Sequence, residues 1–492
     1  MKMNNVLLIK PVYYGSHYGN RYLNAGLAYI SEALSKSNIQ NKIIDMGLGY
    51  NLDDLKNEIS EYKTQLIGVS MMSFGYRHNY KMLEAIKQKH PDIPIVIGGP
   101  HMSTLRERVL KECPAIDYGI TLEGEETIVE LCEGQKPVGE IKGLFFRNGS
   151  DEIQYNGDRN FIRDLDQNGF PKYSEYQLNK YPRFINIVTS RGCPYHCIYC
   201  PVHLAIGKTF RVRSAKSVVD EFQYWYEKGY REFGIADDNF SLMRKRVLDI
   251  CDEIEQRGLK GLKISCGNGL RADKVDKELL SRMKEVGFHS IAFGVEGGNN
   301  KVLEALQKSE KIETIEKAIK DACDLGYMVT LFFLLGSPGE TRADVEDSVR
   351  LAKKYPVYDV RFYNLIPFQN TKLYEWVNSN NYFRKDPNQF ISEASHWVND
   401  PIFETPELSL IERKKLYKWA NNQVKWHTFN IKKKYHNDST IQYFKDKGLP
   451  DFLSKLCTKL VWNRGFRKIF MQEKMKVIIK NIIQQLSHSP AK

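Results

Sequence analysis

Phe184-Ile185-Asn186-Ile187-Val188-Thr189-Ser190-Arg191-Gly192-Cys193-Pro194-Tyr195-His196-Cys197-Ile198-Tyr199-Cys200 carries a short apolar run into three cysteines within eight residues. The run Phe184 to Thr189 reads as a buried strand, which puts the cysteines on the loop at its carboxyl end. Five similar runs follow, at Glu232 to Ala236, Leu262 to Cys266, Ser290 to Val295, Met328 to Leu335 and Asp359 to Asn364, each trailed by a helical pattern. Six βα units at spacings of roughly 30 to 45 residues predict a partial (β/α)6 barrel of the TIM type, with its chemistry at the carboxyl ends of the strands.

Upstream, a second alternating series begins. Val6 to Ile9, Lys42 to Asp45, Leu66 to Ser70 and Ile93 to Ile97 read as strands, and Leu23 to Ser35, Leu52 to Tyr62, Asn79 to Lys89 and Ser103 to Lys111 as helices. This α/β alternation predicts a doubly wound, Rossmann-like parallel sheet, in which ligands bind at the carboxyl ends of strands. Pro11 to Gly15, Ser70-Met71-Met72-Ser73 and Gly98-Gly99-Pro100-His101 fall there. The predicted division is 1–135 for this first domain, 136–182 for an irregular connector with a hairpin-like stretch at Gly143 to Gly149, 183–372 for the barrel, and 373–492 for a helical, basic C-terminal region.

The 492 residues are 42% hydrophobic and 27% charged, the balance of a globular protein, which excludes a disordered chain or a small disulfide scaffold. The net charge of +12 is local. Residues 412–492 hold 19 Lys and Arg against 5 Asp and Glu, while the first 411 residues are near neutral. A whole-protein nucleic-acid footprint would colour the body too, so no specific nucleic-acid partner is expected, and the tail suits a local anionic surface. No run of 18 apolar residues occurs, so a cytoplasmic protein is expected.

Three thiolates spaced CxxxCxxC can wrap a compact iron–sulfur cluster and leave one iron open to substrate or cofactor. The alternatives are a zinc site, for which His196 would be the fourth ligand, or fortuitous buried thiols. The motif, with aromatic Tyr199 just before the last cysteine, resembles the radical S-adenosylmethionine superfamily. The likeness extends through Asp237-Asp238-Asn239-Phe240, Gly294-Val295-Glu296-Gly297-Gly298 and Gly336-Ser337-Pro338-Gly339-Glu340-Thr341. It implies a 4Fe–4S cluster on Cys193, Cys197 and Cys200, and S-adenosylmethionine chelated at the open iron and cleaved to a 5′-deoxyadenosyl radical. It implies S-adenosylmethionine contacts at Glu296 for the ribose, Tyr199 for the adenine side, Asn268 and Arg271 for the carboxylate, and Asp237. Arg271 is read equally as an ion pair with Asp273, and Asp237 and Asp238 as helix N-caps.

A doubly wound domain ahead of such a barrel resembles the cobalamin-binding class of that superfamily. Gly26 to Ile30, Ser70 to Ser73, Gly98 to His101 and Glu123 to Thr127 carry this likeness. It implies cobalamin contacts at Tyr13, Ser70, Met71, Met72, Gly98, Gly99, Pro100, His101, Glu123 and Gly124. Glycines at strand ends let backbone approach a flat corrin closely. The Asp-x-His-x-x-Gly signature is absent, so cobalt receives no histidine from that motif and the lower axial ligand stays open. His101 suits a nucleotide-tail contact or a helix start. A vestigial domain without cobalamin is the bland alternative.

The resemblance implies a methylase of an unactivated carbon in a small-molecule or lipid-linked substrate. One S-adenosylmethionine would methylate cob(I)alamin, a second would supply the radical, and an external donor of flavodoxin or ferredoxin type would supply electrons. Alternatives are a radical rearrangement, an oxidative cyclase of the anaerobic tetrapyrrole type, or a non-catalytic cobalamin and iron–sulfur redox sensor. No catalytic residue is assigned. Ser392 to Phe403 is read as a cover for the barrel mouth. The apolar stripe Phe452, Leu453, Leu456, Leu460 and Val461, continued from Phe466 to Leu486, reads either as an amphipathic face for peripheral contact with an anionic membrane or as packing of a C-terminal helical domain.

Overall fold

The computed structural model describes residues 2–12, 22–393 and 400–463. Tyr13 and the stripe from Phe466 to Leu486 therefore lie outside the described residues. In the first sheet, β1 (Asn5–Lys10) is buried at every position after Asn5, as a strand covered on both faces requires. It lies between β2 (Gln40–Asp45) and β3 (Leu66–Ser70), and β4 (Ile95–Gly98) and β5 (Tyr118–Ile120) continue the parallel sheet. The order reverses between β1 and β3, which makes their carboxyl ends the ligand-binding switch point.

Several features differ from the sequence reading, β5 among them, since no strand was expected there. The stretch read as a connector adds β6 (Leu144–Arg147) antiparallel to β5 and β7 (Ile153–Tyr155) antiparallel to β6, so the first sheet reaches Tyr155. Phe145 stacks on Tyr155 with ring centroids 4.1 Å apart. The helix expected from Ser103 to Lys111 is two short ones, Pro100–Leu105 and Glu107–Glu112. Arg106 breaks it at φ 54°, held there by Asp158 at 3.0 Å and by the Tyr155 ring, both brought in by the hairpin.

The second sheet holds six parallel strands in the order β8 (Phe184–Ile187), β11 (Glu232–Ile235), β12 (Lys263–Leu270), β13 (Phe288–Glu296), β14 (Met328–Leu335), β15 (Asp359–Asn364). Among the described residues β15 does not pair with β8, so the barrel is open. A ribbon of β9 (Ser190–Arg191) and β10 (Arg211–Val212) closes the base of the cysteine loop. In β14, Val329, Leu331, Phe333 and Leu335 are buried while Thr330, Phe332 and Leu334 are only half-buried, so the two faces alternate.

The helix Leu410–Asp446 starts on a capping box of Ser409 and Glu412, and its Leu416, Ala420 and Val424 join the barrel's core. That part of the C-terminal region packs on the barrel. Ile402 and Phe403, from the segment read as a cover, form a small core with Ile198 of the cysteine loop. In the next helix, Asp451–Val461, Phe452 is 75% exposed and Leu456 43%. No described helix is long and apolar enough to cross a membrane.

Candidate active site

Gly192 sets the geometry of the cysteine loop. Its φ of 87° suits glycine, and a Cβ would stand 2.1 Å from the Thr209 carbonyl, two residues before β10. Gly192→Ala is expected to cost about 2 kcal/mol or more of stability and to lower the iron taken up on reconstitution. Unchanged Tm and iron content would contradict this. The loop is then fixed by Ile198 N–H to Leu306 O at 3.1 Å and Leu373 N–H to Ile198 O at 3.0 Å.

The three thiols are partly buried and close enough to influence one another. Burial first, then Cys197 and Cys193, pushes Cys200 up to about 12, and burial raises Cys197. Among the described residues no three His, Cys, Asp or Glu side chains converge as a single metal ion requires, and His196 is exposed. Three cysteines at CxxxCxxC spacing on one loop fit a cluster with one open iron.

Above the loop, Glu296 ends β13 at φ 64°, a left-handed conformation that costs a side-chain-bearing residue about 1 kcal/mol or more. Its Oε1 accepts from Tyr199 Oη and from Lys308 Nζ, each at 3.0 Å. Lys308 also lies 3.5 Å from Glu310. Burial works against the Lys308 charge, but Glu296 and Glu310 outweigh it and hold the ammonium above its usual range. Lys308 was not singled out from the sequence, where it reads as one charge in a solvated loop. The only local sign is structural: its neighbours Gln307 and Ser309 both have positive φ.

Several of the expected contact residues have partners within the protein. Arg271 is 8% exposed and donates to Asp273 at 2.9 Å and to the Lys308 and Ser309 carbonyls at 3.1 Å each, with its guanidinium 3.5 Å over the Tyr195 ring. The ion-pair reading holds, and the residue braces the cysteine loop. Asp237 is buried. Its carboxylate accepts from Thr189 N–H, Thr189 Oγ1 and Ser190 Oγ, at 2.6, 2.5 and 2.6 Å. Its neighbour Asp238 faces the cavity between the domains instead, and burial, with Asp237 adding, pushes that carboxyl up to about 6. Neither caps a described helix, since the turn at Phe240–Leu242 is preceded by Asn239. Asn268 Nδ2 donates to the Ala236 carbonyl at 3.0 Å and sits exposed at the barrel mouth. A Cβ on the adjacent Gly267 would meet nothing within 4 Å, so glycine there leaves open space.

That cavity has a volume of about 380 Å³ and is walled by carboxyl ends of strands from both sheets. Ser70, Met72, Gly98, Gly99, Pro100, Glu123 and Gly124 line it from the first domain, and Val188, Arg191, Ala236 and Asp238 from the barrel. A Cβ on Gly98 would come no nearer than 3.7 Å to any neighbour, the Ile120 carbonyl. Packing does not require glycine at Gly98, so the missing side chain preserves room for a ligand, as a flat group on the strand ends would need.

Met71 and His101 are not part of the lining, and both are fully buried. His101 Nε2 meets Tyr80 Oη at 2.7 Å, its Nδ1 meets Ser73 Oγ at 3.3 Å, and Tyr76 lies against the ring at 4.6 Å. Burial, with Arg108 adding, pushes His101 down to about 3, so it is a neutral core residue. Glu123 lines the cavity, but its carboxylate is bound to Arg191 and Arg211 of the ribbon.

Comparison with known proteins agrees with this geometry. The model of the radical SAM superfamily matches residues 187–352, and that of the B12 binding domain matches residues 12–132. An uncharacterized methyltransferase of Pyrococcus horikoshii is 31% identical over 72% of this chain and 78% of its own length. The anaerobic magnesium-protoporphyrin IX monomethyl ester cyclase of Cereibacter sphaeroides is 26% identical over 70% of this chain and 59% of its own. Among solved structures, the radical S-adenosylmethionine methyltransferase TsrM of Kitasatospora setae, with cobalamin and a 4Fe–4S cluster bound, superposes with a TM-score of 0.69. That match covers 87% of this chain and 89% of TsrM at 17% identity. The chain belongs to the cobalamin-binding radical S-adenosylmethionine family of enzymes, which includes methyltransferases.

Proposed function

We propose that the chain is a cobalamin-dependent radical S-adenosylmethionine enzyme that methylates an unactivated carbon of a small-molecule or lipid-linked substrate, using two S-adenosylmethionine per turnover. The observation that carries this reading is the single cavity, in which the first domain's glycine-bearing strand ends face the strand ends beside the cysteine loop. When bound, the cluster with S-adenosylmethionine supplies radical formation, and cobalamin supplies methyl transfer. Cys193, Cys197 and Cys200 would hold the cluster. Tyr199, Glu296 and Asn268 would orient S-adenosylmethionine, and Ser70, Met72, Gly98, Gly99, Pro100 and Gly124 would bear the corrin. The apolar walls exclude water from the reacting carbon. Electrons would come from an external flavodoxin- or ferredoxin-like donor. Likeness to the cyclase favours, as a second reading, an oxidative cyclisation without methyl transfer.

The buried, doubly bonded His101 leaves cobalt no imidazole from that residue. Anaerobically reconstituted protein is expected to bind hydroxocobalamin with its nucleotide tail displaced from cobalt and, on reduction to cob(II)alamin, to give an electron paramagnetic resonance spectrum without nitrogen superhyperfine splitting. Failure to bind would overturn the proposal, and a nitrogen signal lost in His101→Ala would overturn the part assigned to His101.

A further inference from the structure

We propose that Glu123 is a positioning residue that couples occupancy of the interdomain cavity to the order of the cysteine loop, an inference that rests on the cavity's being the cobalamin site. Arg191 and Arg211 stand directly opposite each other in the ribbon at the base of that loop. Like charges at such a pair are destabilising, and here both are nearly buried, at 14% and 5% side-chain exposure. The ribbon supplies no carboxylate of its own. The first domain does: Glu123 Oε1 accepts from Arg191 Nη1 at 2.9 Å, both Glu123 oxygens accept from Arg211 Nη1 at 2.7 Å, and Glu125 Oε1 accepts from Arg191 Nη2 at 2.7 Å. Two cations and two anions thus form a closed network across the domain boundary, and the base of the loop is complete only when the first domain is in place.

The backbone on the other side of this network faces the cavity. Leu122, Glu123, Gly124 and Glu125 all line it. Leu122 is held at φ 58°, its N–H bonded to Ser103 Oγ at 2.9 Å, so the run that aims Glu123 is itself strained and fixed. A Cβ on Gly124 would stand 3.1 Å from Ile120 and 3.3 Å from Ile30, leaving the run little freedom to move alone. A ligand resting on these residues therefore biases the carboxylates that hold the ribbon, and by linkage an ordered loop favours the ligand equally.

The test uses the full chain, reconstituted anaerobically, and follows amide hydrogen exchange in residues 190–212 with and without hydroxocobalamin, whose uptake is read from its visible spectrum. In the wild type, hydroxocobalamin is expected to slow exchange there by about tenfold. Glu123→Gln, which leaves one carboxylate for two buried arginines, is expected to bind hydroxocobalamin yet lose that slowing, and Glu123→Asp to recover part of it. Slowing in Glu123→Gln equal to the wild type would overturn the proposal. So would wild-type protein that binds hydroxocobalamin without slowing, a result that stands even where Glu123→Gln does not fold. Wild-type protein that takes up no hydroxocobalamin would overturn the functional reading, and the coupling with it.

Discussion

Replacing Cys193, Cys197 and Cys200 together by Ala is expected to remove the iron–sulfur cluster and all formation of 5′-deoxyadenosine. Thiolate is the ligand, and no other cysteine stands ready to replace these three. Cys113, Cys132, Cys251, Cys266, Cys323 and Cys457 are scattered along the chain and share no CxxxCxxC spacing. The measurement is iron per chain after anaerobic reconstitution, with chromatography of the nucleoside product. Full iron content in the triple variant would refute the assignment of the cluster to this loop.

Glu296→Gln is expected to have the next largest effect, on two separable readouts. Lys308 would lose the carboxylate 3.0 Å away and keep only Glu310 at 3.5 Å, with both members of the original pair 9% exposed. Removing one partner of a buried pair strands the other charge, and the expected loss of stability is about 3 kcal/mol, read as a lower Tm. The strained φ of 64° at this position serves to aim the carboxylate, so affinity for S-adenosylmethionine is expected to fall by about tenfold. A variant with wild-type affinity and lowered Tm would reduce Glu296 to a structural partner of Lys308.

The barrel strands and the first four strands of the first sheet were legible in the sequence because they depend on local, repeated signals, whereas β5, β6 and β7 were not read as strands. The run Met328–Leu335 is a strand over the predicted span, and Asp359–Asn364 likewise. The cysteine loop was legible because three thiols at short spacing have few physical uses. What escaped the sequence depends on distant partners. Asp237 and Asp238 are adjacent, and only the position of Thr189, 48 residues away, decides which of them turns into the scaffold and which to the cavity. His101 after Gly-Gly-Pro could enter the cavity or the core, and Tyr76 and Tyr80 of the preceding helix draw it into the core. Glu123 was expected as a ligand contact through the resemblance of the run Glu123 to Thr127 to the cobalamin-binding class. Its partners, Arg191 and Arg211, follow it by 68 and 88 residues. The break at Arg106 has the same origin, since Asp158 and Tyr155 come from a hairpin that the sequence presents as an irregular connector.

The central claim is that radical formation at the cysteine loop and methyl transfer at the cavity beside it belong to one enzyme. It is tested most directly by incubating reconstituted, hydroxocobalamin-loaded protein anaerobically with a strong reductant and methyl-labelled S-adenosylmethionine, then measuring both nucleoside products and the label on cobalamin. The account predicts S-adenosylhomocysteine up to about one equivalent per bound cobalamin, labelled methyl on the cobalamin, and 5′-deoxyadenosine that requires the cluster. Formation of 5′-deoxyadenosine alone, with no S-adenosylhomocysteine and no labelled cobalamin, would contradict it and leave a radical enzyme that does not methylate.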